Sequence, residues 1–202
     1  MALAGLPRLA AGALIASAIA CGARPPDDSL DFAAKLAAER AAKDAAFLAS
    51  DDPIPRSRHA QFLPLAYFPI DAEYSVPAGL KPSNDPTVLD MPTSTGTTRM
   101  MRRAGALEFT LKSQPLTLTA FVEVGQDPSH LFVPFSDRTS GTETYAAGRF
   151  MDLQRNGTGI YEIDFNRAYI PYCYYSPTYE CPYPPPENRL KIPIRAGERM
   201  KK

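Results

Sequence analysis

The chain has 202 residues, with 22 Lys+Arg against 22 Asp+Glu, two histidines, three cysteines and no tryptophan. That length suits one domain with an appendage and is ample for a real hydrophobic core. A formal charge of zero argues against a general nucleic-acid binder, which needs a basic face to neutralise phosphates. Two histidines leave little room for His-rich metal chemistry.

Met1–Ala20 begins with a weakly positive start (the amino terminus and Arg8) and continues as the apolar stretch Leu9–Ala20. That stretch is too short to cross a bilayer, which takes roughly 20 apolar residues, and fits the core of a secretory signal peptide. Ala18-Ile19-Ala20-Cys21-Gly22 follows the pattern of small residues before a cysteine that marks the bacterial lipobox, with Ala18 where leucine is usual. The expectation is a signal peptide over 1–20, cleaved before a lipidated, palmitate-bearing Cys21. Ordinary cleavage with an incidental cysteine is the alternative. Such a chain sits in the bacterial cell envelope as a membrane-anchored lipoprotein facing the periplasm or exterior. Residues 21–28 then read as a lipidated tether.

Residues 29–50 read as an N-terminal helix. Leu30–Ala49 lacks proline and glycine and is rich in alanine, and Asp28 or Ser29 is suited to accept from a free backbone N–H at its start. Phe32, Leu36 and Phe47 fall on one narrow arc at 100° per residue, so the helix is expected to pack on the domain. Lys35, Arg40 and Lys43 are balanced by Glu39 and Asp44, unlike the basic face of a membrane-lying helix.

Residues 51–202 read as a β domain. Short β-rich runs recur with turn residues between them: Tyr74–Val76, Thr87–Met91, Thr97–Arg103, Leu107–Leu111, Leu116–Val124, Leu131–Phe135, Tyr145–Leu153, Ile160–Phe165 and Leu190–Ile194. Asn156-Gly157 is a hairpin signal, because both residues tolerate the positive φ of tight turns. The expected fold is mainly β, an antiparallel β-sandwich or partly closed β-barrel preceded by one amphipathic α-helix. Pro171–Pro186 holds six prolines and five tyrosines and reads as an extended loop on the sheet, since proline withholds a ladder donor. With Cys21 as anchor, Cys173 and Cys181 remain as thiols. Export favours a disulfide between them, worth roughly 2.5 kcal/mol by chain entropy for so short a loop. A metal-binding or reactive thiol pair is the alternative.

Asp164-Phe-Asn-Arg-Ala-Tyr169, Cys173, Cys181 and Pro184-Pro-Pro-Glu-Asn-Arg-Leu190 resemble the bacterial family catalogued as domain of unknown function 1684. The resemblance extends through Phe135-Ser-Asp-Arg-Thr-Ser-Gly-Thr-Glu-Thr-Tyr145, Gly148-Arg-Phe150, Tyr67-Phe-Pro-Ile-Asp71 and Lys43-Asp-Ala-Ala-Phe47, covering about residues 30–198. Pro64 stands where that family more often has glycine. The resemblance implies a domain and no activity.

No nucleotide loop, G-x-S-x-G elbow or H-E-x-x-H zinc motif is present, and no metal or cofactor is expected. His59 and His130 read as loop histidines. The better candidates are charges inside aromatic stretches. Arg149, Arg167 and Arg189 are expensive there unless their donors find partners, and Asp137, Glu143, Asp164 and Glu187 are available carboxylates. One reading has these charges pin the tyrosine-rich loop to the sheet, with Asn166 and Asn188 bonding backbone. The other is a shallow pocket rimmed by Tyr145, Tyr161 and Tyr169, in which Arg149, Asn166, Arg167, Glu187, Asn188 and Arg189 meet a small polar or anionic ligand or an envelope partner. The rival function is a hydrolase using Asp137, Glu143 or Glu187, which requires those carboxylates to converge in one cleft. The expected partners are the membrane, through the lipid anchor, and a small molecule or envelope protein, with no nucleic acid.

Overall fold

The computed structural model describes Met1 and residues 28–201, with side chains from Asp31 onward. Apart from Met1, the expected signal peptide, Cys21 and the expected tether, together with the Asp28 and Ser29 side chains expected to cap the helix, therefore lie outside the described residues or side chains. Among the described residues no helix is long and apolar enough to cross a membrane.

The leading helix α1 spans Asp28–Ala49. Leu36 and Phe47 are buried, and Arg40 and Lys43 lie between them on the same face, since steps of four, seven and eleven residues nearly repeat the helical period. That face is docked largely by polar contacts. Arg40 donates to the carbonyls of Phe68 (3.1 Å) and Asn166 (3.3 Å), and Lys43 pairs with Glu198 at 2.6 Å. Asp44 accepts from the backbone N–H of Leu65 at 2.8 Å. A single turn, α2 (His59–Phe62), follows.

The strands are β1 (Ala66–Tyr67), β2 (Ser75–Pro82), β3 (Val88–Pro92), β4 (Thr98–Leu111), β5 (Gln114–Glu123), β6 (His130–Phe135), β7 (Arg149–Gln154), β8 (Ile160–Asp164) and β9 (Glu198–Arg199). β1 and β9 form a separate two-stranded ribbon. The main antiparallel sheet runs β7-β6-β5-β4-β2-β8, with β3 also paired to β4. β7 and β8 stand at opposite ends of that order, yet only Arg155–Gly159 connects them. A connection of at most roughly 20 Å forces the sheet to curl until its edges approach, which makes it a nearly closed barrel. Asn156-Gly157 is therefore a crossing between sheet edges and not a hairpin. The Asn156 side chain organises it, accepting from the N–H groups of Thr158 and Gly159 and donating to the Ile160 carbonyl.

Two expected strands prove to be one. β4 continues from Thr98 to Leu111 through a register shift between Arg103 and Gly105. This bulge inserts one residue and so reverses the side-chain alternation. Before it, Met101 faces outward and packs with Met91 and Phe121; after it, Leu107, Phe109 and Leu111 face the interior. There they meet Leu118, Leu131, Val133, Phe135, Ile163 and Phe165. The expected strand Leu190–Ile194 is irregular chain instead, tied at Leu190 N–H to the Ser136 carbonyl (2.8 Å) and burying Leu190, Ile194 and Ala196 against the barrel core. β7 starts at Arg149, later than expected, because Thr139–Gly148 is a run of turns.

Candidate functional site

Strand alternation determines where each charge goes. On β7, Arg149 shares the inward side with Met151, so its guanidinium enters the barrel, where it is 1% exposed. It pairs with Asp137 at 2.9 Å and donates to the carbonyls of Ile194 (2.7 Å), Glu198 (3.2 Å) and Ala196. Burial pulls its pKa below the ordinary arginine value, and Asp137 opposes that shift. Arg149 therefore clasps the C-terminal segment to the barrel. Asn166 and Asn188 are buried and serve backbone. Asn166 accepts from Asp71 N–H and donates to the Asp71 carbonyl and to Asp164, while Asn188 bridges Thr119 and Pro134.

The remaining expected pocket residues are dispersed. Arg167 pairs with Glu39 on α1 and with Asp164. Tyr161 is buried on the barrel side, its hydroxyl accepting from Asn156 N–H. Tyr145 packs on Tyr174, and Arg189 is exposed. The carboxylates of the hydrolase reading do not converge. Asp137 is held by Arg149, Glu143 by Arg195 at 2.9 Å and Glu187 by Arg103 at 3.2 Å. A cleft of about 720 Å³ is rimmed by Arg40, Arg195, Arg199 and Lys201. Its cations are already engaged, Arg195 by Glu143, and Arg199 and Lys201 by the carbonyls of Tyr67 and Leu63.

Cys173 and Cys181 are free thiols, so the expected disulfide is not formed. Cys173 lies in a one-turn 3-10 helix, Tyr172–Tyr174, and its backbone N–H donates to the Cys181 sulfur at 3.2 Å. The Cys181 thiol lowers the Cys173 pKa to about 7, and Ser94 and Tyr145 add to the effect.

One expected residue, Tyr169, borders a different and better-formed site. The outward side of β6 and β7 carries His130, Phe132, Phe150, Asp152 and Gln154, and opposite β6 stand the outward Phe121 and Glu123 of β5. The tyrosine-rich loop Tyr169–Tyr183 lies over this face, leaving a groove of about 560 Å³. Its rings form a continuous file. Centroids are 4.7 Å apart for Phe132–Phe150, 5.9 Å for Phe150–Tyr169, 6.4 Å for Tyr169–Tyr172 and 5.3 Å for Tyr172–Tyr179. Asp152 sits at the centre, accepting from Tyr169 Oη at 2.7 Å and lying 3.1 Å from His130 Nε2. Burial raises the Tyr169 pKa above the ordinary phenol value, with Asp152 adding to it, so its hydroxyl stays a donor. Arg99 spans the far rim, donating to Glu123 (3.4 Å) and to the Glu180 carbonyl (2.9 Å).

Arg99, Glu123, Phe132, Asp152 and Glu180 are not among the residues expected from the sequence, and His130 opens β6 and lines the groove instead of lying in a loop. A signal for them exists. Phe132 and Phe150 occupy the side of each strand that alternation assigns to solvent, and an apolar residue there needs a cover.

The profile of a family described as "Protein of unknown function (DUF1684)" matches residues 60–199. The chain belongs to that family. The DUF1684 match contains the whole groove, with its floor on β4–β7 and its tyrosine loop, whereas α1 precedes it. The chain is also similar to an uncharacterized protein of Haloarcula marismortui solved by solution NMR. Identity is 36% over 85% of this chain and 96% of that one, with a TM-score of 0.66. No curated protein matches the chain.

Proposed function

We propose that this DUF1684 domain is a binding module that holds a small polar molecule in the groove between the outer sheet face and the tyrosine loop. The observation that carries the reading is the file of five aromatic rings beside Asp152, His130 and Glu123 in one cavity. Apolar walls with a few convergent polar groups are the usual make-up of a small-molecule site. An anion-binding pocket around Arg149 has no such support, because that guanidinium is buried and its terminal nitrogens are spent on internal acceptors. The envelope reading is kept as part of the proposal: cleavage after Ala20, lipidation of Cys21, and α1 as the element that joins the tether to the domain. Cys21→Ala is then expected to leave the membrane fraction; an unchanged distribution argues against lipidation.

The groove is tested by a thermal-shift screen of the full chain against sugars, amines, nucleotides, lipid head groups and acyl esters. A ligand at 100 times its dissociation constant adds about 2.7 kcal/mol, a shift of several degrees for a domain of this size. A hit lost in Phe132→Ala or Tyr179→Ala supports the reading. A hit insensitive to both, or a blank screen, counts against it.

A further inference from the structure

Resting on the groove as the ligand site, we propose that its ligand is a small organic cation, an ammonium or quaternary ammonium compound. Four carboxylates line the groove, Glu123, Asp127, Asp152 and Glu180, against one guanidinium, Arg99, an excess of three negative charges apart from His130. The chain as a whole carries no net charge, so this is a local concentration of negative charge. Arg99 does not act as a free anion-binding group, because it already donates to Glu123 and to the Glu180 carbonyl. Asp127 is held ionised: the Ser129 N–H donates to it at 2.8 Å and pulls its pKa below the usual carboxylate value.

The aromatic file adds to the same preference. Ring faces carry negative quadrupole charge and attract ammonium groups, by roughly 0.5–2 kcal/mol depending on desolvation. Carboxylates and ring faces both repel an anion. A neutral polyol gains from the hydrogen-bonding groups but not from the charge. A cation gains from both, and an excess of negative charge on cleft walls raises its local concentration.

The test is calorimetric titration of the full chain with choline, with a linear diamine, with the uncharged carbon isostere of choline, and with glucose. At least one cation is expected to bind, and choline is expected to bind at least about tenfold tighter than its isostere, a difference of about 1.4 kcal/mol. Glu180→Gln is expected to weaken the cation several-fold and leave the isostere unchanged. Asp152→Asn is expected to do the same, and Glu180→Gln keeps the test intact if the Asp152 variant fails to fold. Equal binding of choline and its isostere, or binding of glucose alone, overturns the cation assignment while leaving the groove as the site. No binding by either cation also overturns it. Binding that survives Phe132→Ala overturns the groove itself.

Discussion

Arg149→Met keeps the apolar bulk of a side chain that is fully buried and deletes every bond its guanidinium donates. Four acceptors lose a partner: the Asp137 carboxylate and the carbonyls of Ile194, Ala196 and Glu198. Asp137 is as enclosed as Arg149, with side-chain exposures of 1% and 0%, so the variant leaves an uncompensated charge in the barrel wall. Breaking such a pair from one side costs about 3–5 kcal/mol, a large share of the ~5–15 kcal/mol that holds a domain folded. With a urea slope of about 2 kcal/mol per molar, the unfolding midpoint should fall by about 2 M, read by circular dichroism at unchanged slope. Adding Asp137→Asn should return part of the loss. The amide removes the stranded charge, and its oxygen can still accept from the N–H groups of Thr139 and Ile194, which donate to Asp137 Oδ1 at 2.7 and 3.1 Å. A midpoint change below about 0.5 M, or a double variant as unstable as the sum of the singles, would refute the clasp.

Two further outcomes follow from local geometry. Gly148 has φ +90°, and a Cβ there would lie 2.4 Å from the Phe135 carbonyl oxygen and 2.7 Å from Pro184; Gly148→Ala should cost more than about 2 kcal/mol by thermal or urea unfolding, and a neutral result would contradict the positive φ. Cys173 should be the thiol alkylated first by iodoacetamide, its rate rising as pH climbs through about 7, where the thiolate forms. Tyr145→Phe removes a donor to that thiolate and should move the profile to higher pH; an unmoved profile would remove Tyr145 from the cause.

Much of the architecture is legible in the sequence because it depends on local rules. The proline-free alanine stretch marks α1, and Leu36 and Phe47 mark its docked face. Turn residues mark the β-rich runs and their antiparallel order. What escapes is what only the partner strand decides. Ala104-Gly105 reads as a break between strands, yet Ala120 opposite Gly105 keeps β4 continuous through a bulge. Asn156-Gly157 carries hairpin chemistry, yet β8 pairs with β2, because the sheet must curl before β7 and β8 can be joined. Leu190–Ile194 has the composition of a strand and becomes a plug.

The same division separates the two readings of the charges. Arg149, Arg167 and Glu187 stand out in the sequence as charges needing partners, and partners within the chain are what they have. The groove residues come from four strands and a loop distant in sequence, so no spacing announces them. Only the outward Phe132 and Phe150 hint at a cover. Tyr169 belongs to both lists because it stands where the β8 exit turns into the tyrosine loop, bridged to Phe150.

The central claim is that the ligand lies under the tyrosine loop, and solution NMR of the full chain tests it most directly. On titration with the strongest ligand from the screen, resonances of Phe132, Phe150, Asp152, Tyr169 and Tyr179 should shift together and saturably. Shifts centred instead on Arg40, Arg199 and Lys201, with the groove residues unmoved, would contradict it.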